Sequence, residues 1–427
     1  MARDDEVRTM ETILLMKERS EFPIEIDDRG RGILPPQVVS RHGLKQGMKI
    51  YLENGGNGLG LGICQDALAK VYIEPTNRCN LECRTCMRNI WDEPLGQMDR
   101  STFTRILEGL GNISPPPKIF FGGIGEPLAH PRIAEMVRQA KKAGGSVELI
   151  TNGTLLTRDM SHRLLDASLD MLWVSLDGAT QESYADVRLG SALPEVLANI
   201  SAYQEARQTE YTQRAHLGIV FVAMKRNIAD LPAILKLGKE LGAKRFLVSN
   251  VLPYTAEMKA EILYARSRMD FYFGPFLELP IIDINETTFR PLYQAFDSGK
   301  SVVLSGNRNN EAPGRCPFIG SRSAAVSWEG NLSPCLPLLH SHNSFLDERE
   351  RFSRRHIVGN VNEKNLQDLW RDTQYAAFRE RVRAFDFSPC TICGGCEMGE
   401  GNEEDCFGNE FPTCGGCLWA QGVIRCP

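Results

Sequence analysis

The chain has no surplus of positive charge: 49 Lys and Arg stand against 54 Asp and Glu, a net of -5 over 427 residues. A general nucleic-acid binder needs a basic field to neutralise phosphates, so this balance argues against that class. Long hydrophobic runs are also missing. The N-terminal stretch is charged and polar at Arg3, Asp4, Asp5, Glu6 and Arg8, and its apolar patch is confined to Ile13, Leu14, Leu15 and Met16. Neither a signal peptide nor a membrane span is predicted, and the expected location is cytoplasmic. Cysteine is absent from the whole middle of the chain. Of the 13, three fall at Cys79, Cys83 and Cys86, the next is Cys316, and Cys64 stands alone. In a reducing compartment these thiols are metal ligands before they are disulfides, so oxygen sensitivity is expected.

Between about residues 70 and 285, short β-rich runs alternate with helical patterns, the sequence form of parallel βα units. Strands are predicted at 71–74, 118–121, 147–151, 171–175, 217–222 and 245–249. One helix is predicted to place Ile228, Leu231, Ile234, Leu235 and Leu241 on a single core-facing side, and another runs from Ile133 to Gly144-Gly145. Each of the first four strands is followed by a polar or glycine-rich motif. Cys79, Cys83 and Cys86 follow the first, Gly123-Ile124-Gly125-Glu126-Pro127 the second, Thr151-Asn152-Gly153 the third, and Ser175-Leu176-Asp177-Gly178 the fourth. In a (β/α) barrel the strand C-termini converge on one mouth, so four such loops share one site. Singly, each reads equally as a turn or a helix cap.

The C-x3-C-x2-C spacing supplies three thiols where a closed zinc site or an ordinary ferredoxin cluster takes four. Either a distant cysteine completes a structural site, or a cubane keeps one iron open. The spacing, with the order of motifs behind it, resembles the radical SAM superfamily. The resemblance implies an α/β fold, a partial (β/α)6 TIM-type barrel. It also implies a 4Fe-4S cluster whose fourth iron is chelated by S-adenosylmethionine, and reductive cleavage to a 5'-deoxyadenosyl radical that abstracts hydrogen from substrate. It assigns Cys79, Cys83 and Cys86 to the cluster and the backbone of Gly123, Gly125 and Glu126 to the cosubstrate amine. Asn152, Ser175 and Asp177 go to its ribose and carboxylate, and Arg188 to a bidentate grip on that carboxylate. An exposed helix arginine is the plain alternative for Arg188. The family places an aromatic residue before the last cysteine, and this chain has Thr85.

Downstream, Cys316-x13-Gly330-x4-Cys335 is followed by Cys390, Cys393, Cys396, Cys406, Cys414, Cys417 and Cys426. The opening of this block resembles the SPASM domain, which implies two auxiliary iron-sulfur clusters. One division gives Cys390, Cys393, Cys414 and Cys426 to one cluster. The other takes Cys316, Cys335, Cys417 and either Cys396 or Cys406. Two zinc ribbons are the alternative, since C-x2-C pairs suit zinc equally well. His340 and His342 invite an acid-base or metal role, whereas His130 and Cys64 read as structural. The chain divides into residues 1–66, 67–290 and 291–427.

The first of these, with Ile24 to Asp27, Gly30 to Pro36 and Gly43 to Leu52, resembles the AbrB-type swapped-hairpin module. A plain hairpin cap on the barrel is the alternative. Basic Arg29, Arg31, Arg41, Lys45 and Lys49 are offset by Glu21, Glu25, Asp27, Asp28 and Glu53, which favours homodimerisation or client docking over DNA binding. The text around Cys79 to Asn89 and Pro412 to Gly422 resembles the radical SAM/SPASM maturases that accompany tungsten-dependent oxidoreductases. That resemblance implies a client oxidoreductase, modified on its peptide or its pterin cofactor, and electrons from a ferredoxin or flavodoxin. Rival expectations are a maturase of a ribosomal peptide or sulfatase, and a non-catalytic iron-sulfur DNA-binding regulator.

Overall fold

A computed structural model describes residues 25–26, 32–41, 50–55, 58–63, 67–111, 113–209, 215–264, 272–273, 277–278, 282–297, 316–346, 348–391 and 396–427. The chain divides into two compact units, Met1–Asp66 and Ala67–Pro427. The described part of the smaller unit holds two antiparallel pairs, Glu25–Ile26 with Gly32–Ile33 and Ile50–Gly55 with Gly58–Ile63, and one helix, Pro36–Arg41. Arg29, Arg31, Lys45 and Lys49, on which its charge balance turns, lie outside the described residues, as does Cys64.

The larger unit is organised by one sheet of eleven strands. Its first six are β1 (Lys70–Ile73), β2 (Lys118–Phe121), β3 (Val147–Thr151), β4 (Met171–Ser175), β5 (His216–Ala223) and β6 (Arg245–Asn250), each parallel to the next. Helices α1 (Arg100–Leu110), α2 (Ile133–Lys142), α3 (Arg158–Asp166), α4 (Gln181–Val187), α5 (Leu193–Thr209) and α6 (Leu231–Glu240) fill the crossovers. Predicted and observed strands agree to within a residue at either end, because each run is β-branched or aromatic and ends at turn-forming residues. The first strand stops at Ile73 rather than 74, and the side chain of Glu74 meets a distant histidine. The helix expected from Ile228 begins as a 3-10 turn, Ile228–Asp230, and turns α-helical only at Leu231. Pro232 lies in the first α-helical turn, where a missing N–H costs nothing.

The sheet does not end at β1. On that edge β9 (Ser323–Val326) pairs in parallel, then β10 (Asn331–Ser333) and β13 (Gly359–Asn360) antiparallel. On the other edge β8 (Leu277–Glu278) runs parallel to β6, with β7 (Tyr272–Phe273) antiparallel to it. The cysteine-rich block therefore continues the barrel sheet. A separate hairpin, β11 (His342–Leu346) with β12 (Arg349–Ser353), folds from the same block.

Alternation along the strands sorts side chains into two cores. Val71, Ile73, Ile119, Phe121, Leu149 and Val174 pack against the helices through Phe103, Ile106, Val137, Leu164 and Ile200. On the opposite face Tyr72, Phe120, Met171, Trp173, Val220 and Leu247 pack against Phe318, Ala325 and Leu339 of the C-terminal block. Each large side chain among these, such as Phe120, Val220, Leu247, Phe318 or Leu339, contributes roughly 1.5–3 kcal/mol on full burial, so the second core binds the block to the barrel. Polar groups at the strand beginnings on that face are paired. Glu148 accepts from Lys118 Nζ at 2.7 Å and Trp173 Nε1 at 3.0 Å, and Tyr72 OH accepts from Lys70 Nζ at 2.8 Å. Among the described residues no helix is long and apolar enough to cross a membrane.

Candidate functional site at the strand ends

The loop after β1 carries Cys79, Cys83 and Cys86. Cys86 N donates to Cys83 O at 3.0 Å, closing the turn between the last two thiols. Arg84, between them, clamps the loop to the end of α4: its amide donates to Val187 O at 3.1 Å and its Nε to Asp186 O at 2.7 Å. The next loop presses against this one. A Cβ on Gly125 would stand 2.2 Å from Thr76 O and 2.6 Å from Arg78 O, so only glycine fits. Gly123 has φ +154°, and a Cβ there would meet the Glu74 side chain. Among the described residues neither glycine spends its backbone groups on a hydrogen bond.

Glu126 behaves differently from the expectation that its backbone faces a ligand. Its amide donates to Arg78 O at 2.8 Å. Its carboxylate, 2 % exposed, accepts from Leu128 N, Thr151 Oγ1 and Asn152 N at 2.9, 2.8 and 2.7 Å. Burial pushes its pKa up against those three donors. Glu126 thus stitches the second loop to the third, and what it stitches is Asn152. That side chain accepts from Thr154 N and Oγ1 and donates to Asn80 Oδ1 at 3.0 Å, with Nδ2 3.8 Å from Cys79 Sγ.

Ser175 closes β4 and is buried. Asp177, two residues on, is fully buried, with Oδ1 taking the Val222 amide at 2.8 Å and Oδ2 taking Arg188 Nε at 2.6 Å. Asn227 Nδ2 holds the Asp177 carbonyl at 2.9 Å. The enclosed carboxylate is spent on Arg188 and the Val222 amide. The arginine is largely enclosed, with a side chain 12 % exposed, and is not the exposed helix arginine of the plain alternative. Its Nη2 lies 2.5 Å from Asp177 Oδ2, and its Nη1 reaches Cys83 Sγ at 3.8 Å. Burial opposes the charge on Arg188, and the Asp177 carboxylate outweighs that and raises its pKa.

The three thiols fit a cluster. They lie within electrostatic reach of one another. Burial raises the Cys79 and Cys86 pKa values, opposed by the Leu81 and Arg88 amides donating to their sulfurs. Among the described residues no His, Cys, Asp and Glu group is gathered as the ligands of a single ion would be. A cubane's thiolates bind different irons and stand farther apart than that.

A second group of thiols lines a cavity between β11, β12 and the C-terminal segment. Cys316, Cys335, Cys414 and Cys417 face it, with Arg351 and His342 among the other walls. Burial raises all four pKa values, Cys316 to about 12. Thiols whose protons are held this firmly become thiolates when a metal binds their sulfurs and displaces the protons to solvent. This grouping differs from the division read from spacing, which put Cys414 with Cys390 and Cys426. Cys414 is instead coupled to Cys417, Cys316 and Cys335. Cys426 lies against Trp419, whose Nε1 donates to its sulfur at 3.2 Å, and near Lys70. Cys390 is buried beside Ser388 Oγ at 3.0 Å, Cys396 and Cys406 are exposed, and Cys393 lies outside the described residues.

His340 joins the two halves of the larger unit. Its Nδ1 lies 2.6 Å from Glu93 Oε2 and its Nε2 3.0 Å from Glu74 Oε2. Trp91 packs edge-on against the ring at 4.8 Å. Burial pushes the imidazole pKa down, and the two carboxylates outweigh it to give about 9. Glu74 Oε1 also takes the Ile124 amide at 3.1 Å, which carries the array into the second loop. Spacing singled out His340 and missed both glutamates. Glu74 had one available signal, a charged residue directly after a strand, in the place where the other strands carry their motifs. His342 donates Nδ1–H to the His340 carbonyl at 3.1 Å and meets the Tyr254 ring. His130 is structural, since Nδ1 accepts the Arg132 amide and Nε2 therefore donates to Met98 O at 2.9 Å.

Residues 73–237 match the model of the Radical SAM superfamily, and residues 316–397 that of the SPASM iron-sulfur cluster-binding domain. The chain is 33% identical over 361 residues to the tungsten-containing aldehyde ferredoxin oxidoreductase cofactor-modifying protein of Pyrococcus furiosus. That match covers 84% of this chain and 96% of the relative. It is 31% identical over 311 residues to an AdoMet-dependent heme synthase of Methanosarcina barkeri, covering 70% and 81%. Streptococcus suis SuiB bound to S-adenosylmethionine shares the fold at a TM-score of 0.51 and 16% identity, over 79% of this chain and 72% of that one.

Proposed function

Since the chain belongs to the radical SAM superfamily and carries its SPASM domain, we propose that it matures a tungsten-dependent oxidoreductase by modifying that client's peptide or pterin. The observation that carries this is the 33% identity extending over 96% of the Pyrococcus furiosus protein. Bound at the mouth, the 4Fe-4S cluster and S-adenosylmethionine supply reductive sulfonium cleavage and hydrogen abstraction. Cys79, Cys83 and Cys86 hold that cluster. The Gly123 and Gly125 backbone, unspent within the fold, receives the cosubstrate amine, with Asn152 and Ser175 at its polar end. Glu126, Asp177 and the Arg84 clamp keep the loops in register, so the reacting groups meet without rearrangement. Cys316, Cys335, Cys414 and Cys417 hold one auxiliary cluster. Cys390, Cys393, Cys396 and Cys406 supply the other, leaving Cys426 spare. A reduced ferredoxin or flavodoxin delivers the electron, and the smaller unit docks a second copy or the client.

The test incubates the anaerobically reconstituted, reduced protein with S-adenosylmethionine and the tungsten oxidoreductase apoprotein. Mass spectrometry then follows both the peptide and the pterin. A change of mass on either, with 5'-deoxyadenosine formed, is the expected result. Deoxyadenosine without a client product, together with a mass change on an added tetrapyrrole, overturns the client and favours the heme-synthase relative's substrate class.

A further inference from the structure

Arg188 occupies an unusual position for a group meant to grip a carboxylate brought by a ligand. Its Nε and Nη2 edge is already taken by Asp177 Oδ2, at 2.6 and 2.5 Å. Asp177 is in turn immobilised by the Val222 amide and, through its carbonyl, by Asn227. What remains directed at the site is Nη1, 3.8 Å from the sulfur of Cys83. Cys83 is the most buried of the three mouth cysteines, and the Arg188 side chain is only 12 % exposed. The neighbouring thiol has a similar but uncharged donor, Asn152 Nδ2, 3.8 Å from Cys79 Sγ.

We propose that Arg188, held in place by Asp177, is a positioning residue that donates to the Cys83 sulfur and sets the reduction potential of the mouth cluster. This rests on the reading that Cys79, Cys83 and Cys86 hold that cluster. One-electron reduction adds a negative charge to the cluster. A fixed cation beside one ligand sulfur, in a low-dielectric setting, stabilises the reduced form and raises the potential. Asp177 lies behind the guanidinium, farther from the sulfur, so it weakens the cation's field without cancelling it. Asn152 acts in the same direction through a neutral dipole and therefore more weakly.

The experiment is an anaerobic redox titration of the reconstituted holoprotein, followed by electron paramagnetic resonance without S-adenosylmethionine. The mouth cluster is identified as the signal missing from Cys83→Ala. Arg188→Met is expected to lower the ratio of reduced to oxidised cluster at fixed ambient potential about tenfold, which for a one-electron couple is about 59 mV. Because that variant strands a buried carboxylate, Asp177→Asn/Arg188→Met is measured too. Its shift is expected to be in the same direction and smaller, with Asn152→Ala smaller still. Retained auxiliary iron reports that each variant is folded. Unchanged midpoints in both Arg188 variants, with weakened binding of S-adenosylmethionine alone, overturn the proposal and return Arg188 to the cosubstrate. Survival of every wild-type signal in Cys83→Ala, with none missing, overturns the underlying cluster assignment instead, and is distinguishable from the first failure.

Discussion

Cys79, Cys83 and Cys86 share one loop, and their sulfurs face side-chain and backbone donors: Arg188, Asn152 and the Leu81 and Arg88 amides. Cys316, Cys335, Cys414 and Cys417 converge from distant segments on a cavity walled by Leu252, Phe318, Leu338, Leu346 and Trp419. The first set is three thiols among polar groups at a glycine-lined mouth. The second is four thiols in a mainly apolar enclosure that also holds Arg351 and His342, where burial is the largest cause raising every pKa. A metal held by three residues beside unspent backbone groups can take a further ligand, whereas one held by four in a closed cavity is set up to store or pass an electron. The difference lies in the number of sulfurs and in what surrounds them.

The hardest break in that comparison is Cys83→Ala. It is expected to abolish 5'-deoxyadenosine formation while the auxiliary iron remains, measured by product assay and iron content. Cys414→Ala sharpens the other side. It is expected to remove the same iron as Cys316→Ala, about one cluster's worth, and to leave the mouth cluster reducible. If the two variants lose separate complements of iron, the grouping around the cavity is wrong.

His340 ties the two regions together, and its effect is smaller. Its folded pKa of about 9 stands above the ordinary value of 6.5. The stabilisation is therefore fully present below about pH 6.5 and lost as the pH rises through 9. The shift corresponds to roughly 3 kcal/mol. His340→Gln is expected to lower the thermal midpoint at pH 7, and the gap from wild type to narrow by pH 10. A gap that stays constant across that range refutes the charged clasp. Smallest is Asp99→Ala. Asp99 caps α1, accepting from Thr102 N at 2.7 Å and from Ser101 Oγ at 2.8 Å. Its loss is expected to cost about 1 kcal/mol in denaturant unfolding, with every iron site filled.

The strand positions, the three-cysteine loop and the order of the motifs behind it were legible in the sequence. The reason is that each is local: a run of β-branched residues, a fixed spacing, a glycine where backbone must approach backbone. The pairing of Arg188 with Asp177 lies near that limit. Eleven residues separate them, both were singled out, and yet both were assigned to the cosubstrate rather than to each other.

Three things were decided only by the tertiary structure: Cys414 joining Cys316 and Cys335, Glu74 and Glu93 enclosing His340, and the C-terminal block continuing the barrel sheet through β9. Glu74 and His340 are 266 residues apart, and no periodicity reports a contact of that range. Such partners are selected when two surfaces pack and a buried charge must find its counter-charge. That selection follows from the shape of the assembled core, which spacing along the chain does not encode.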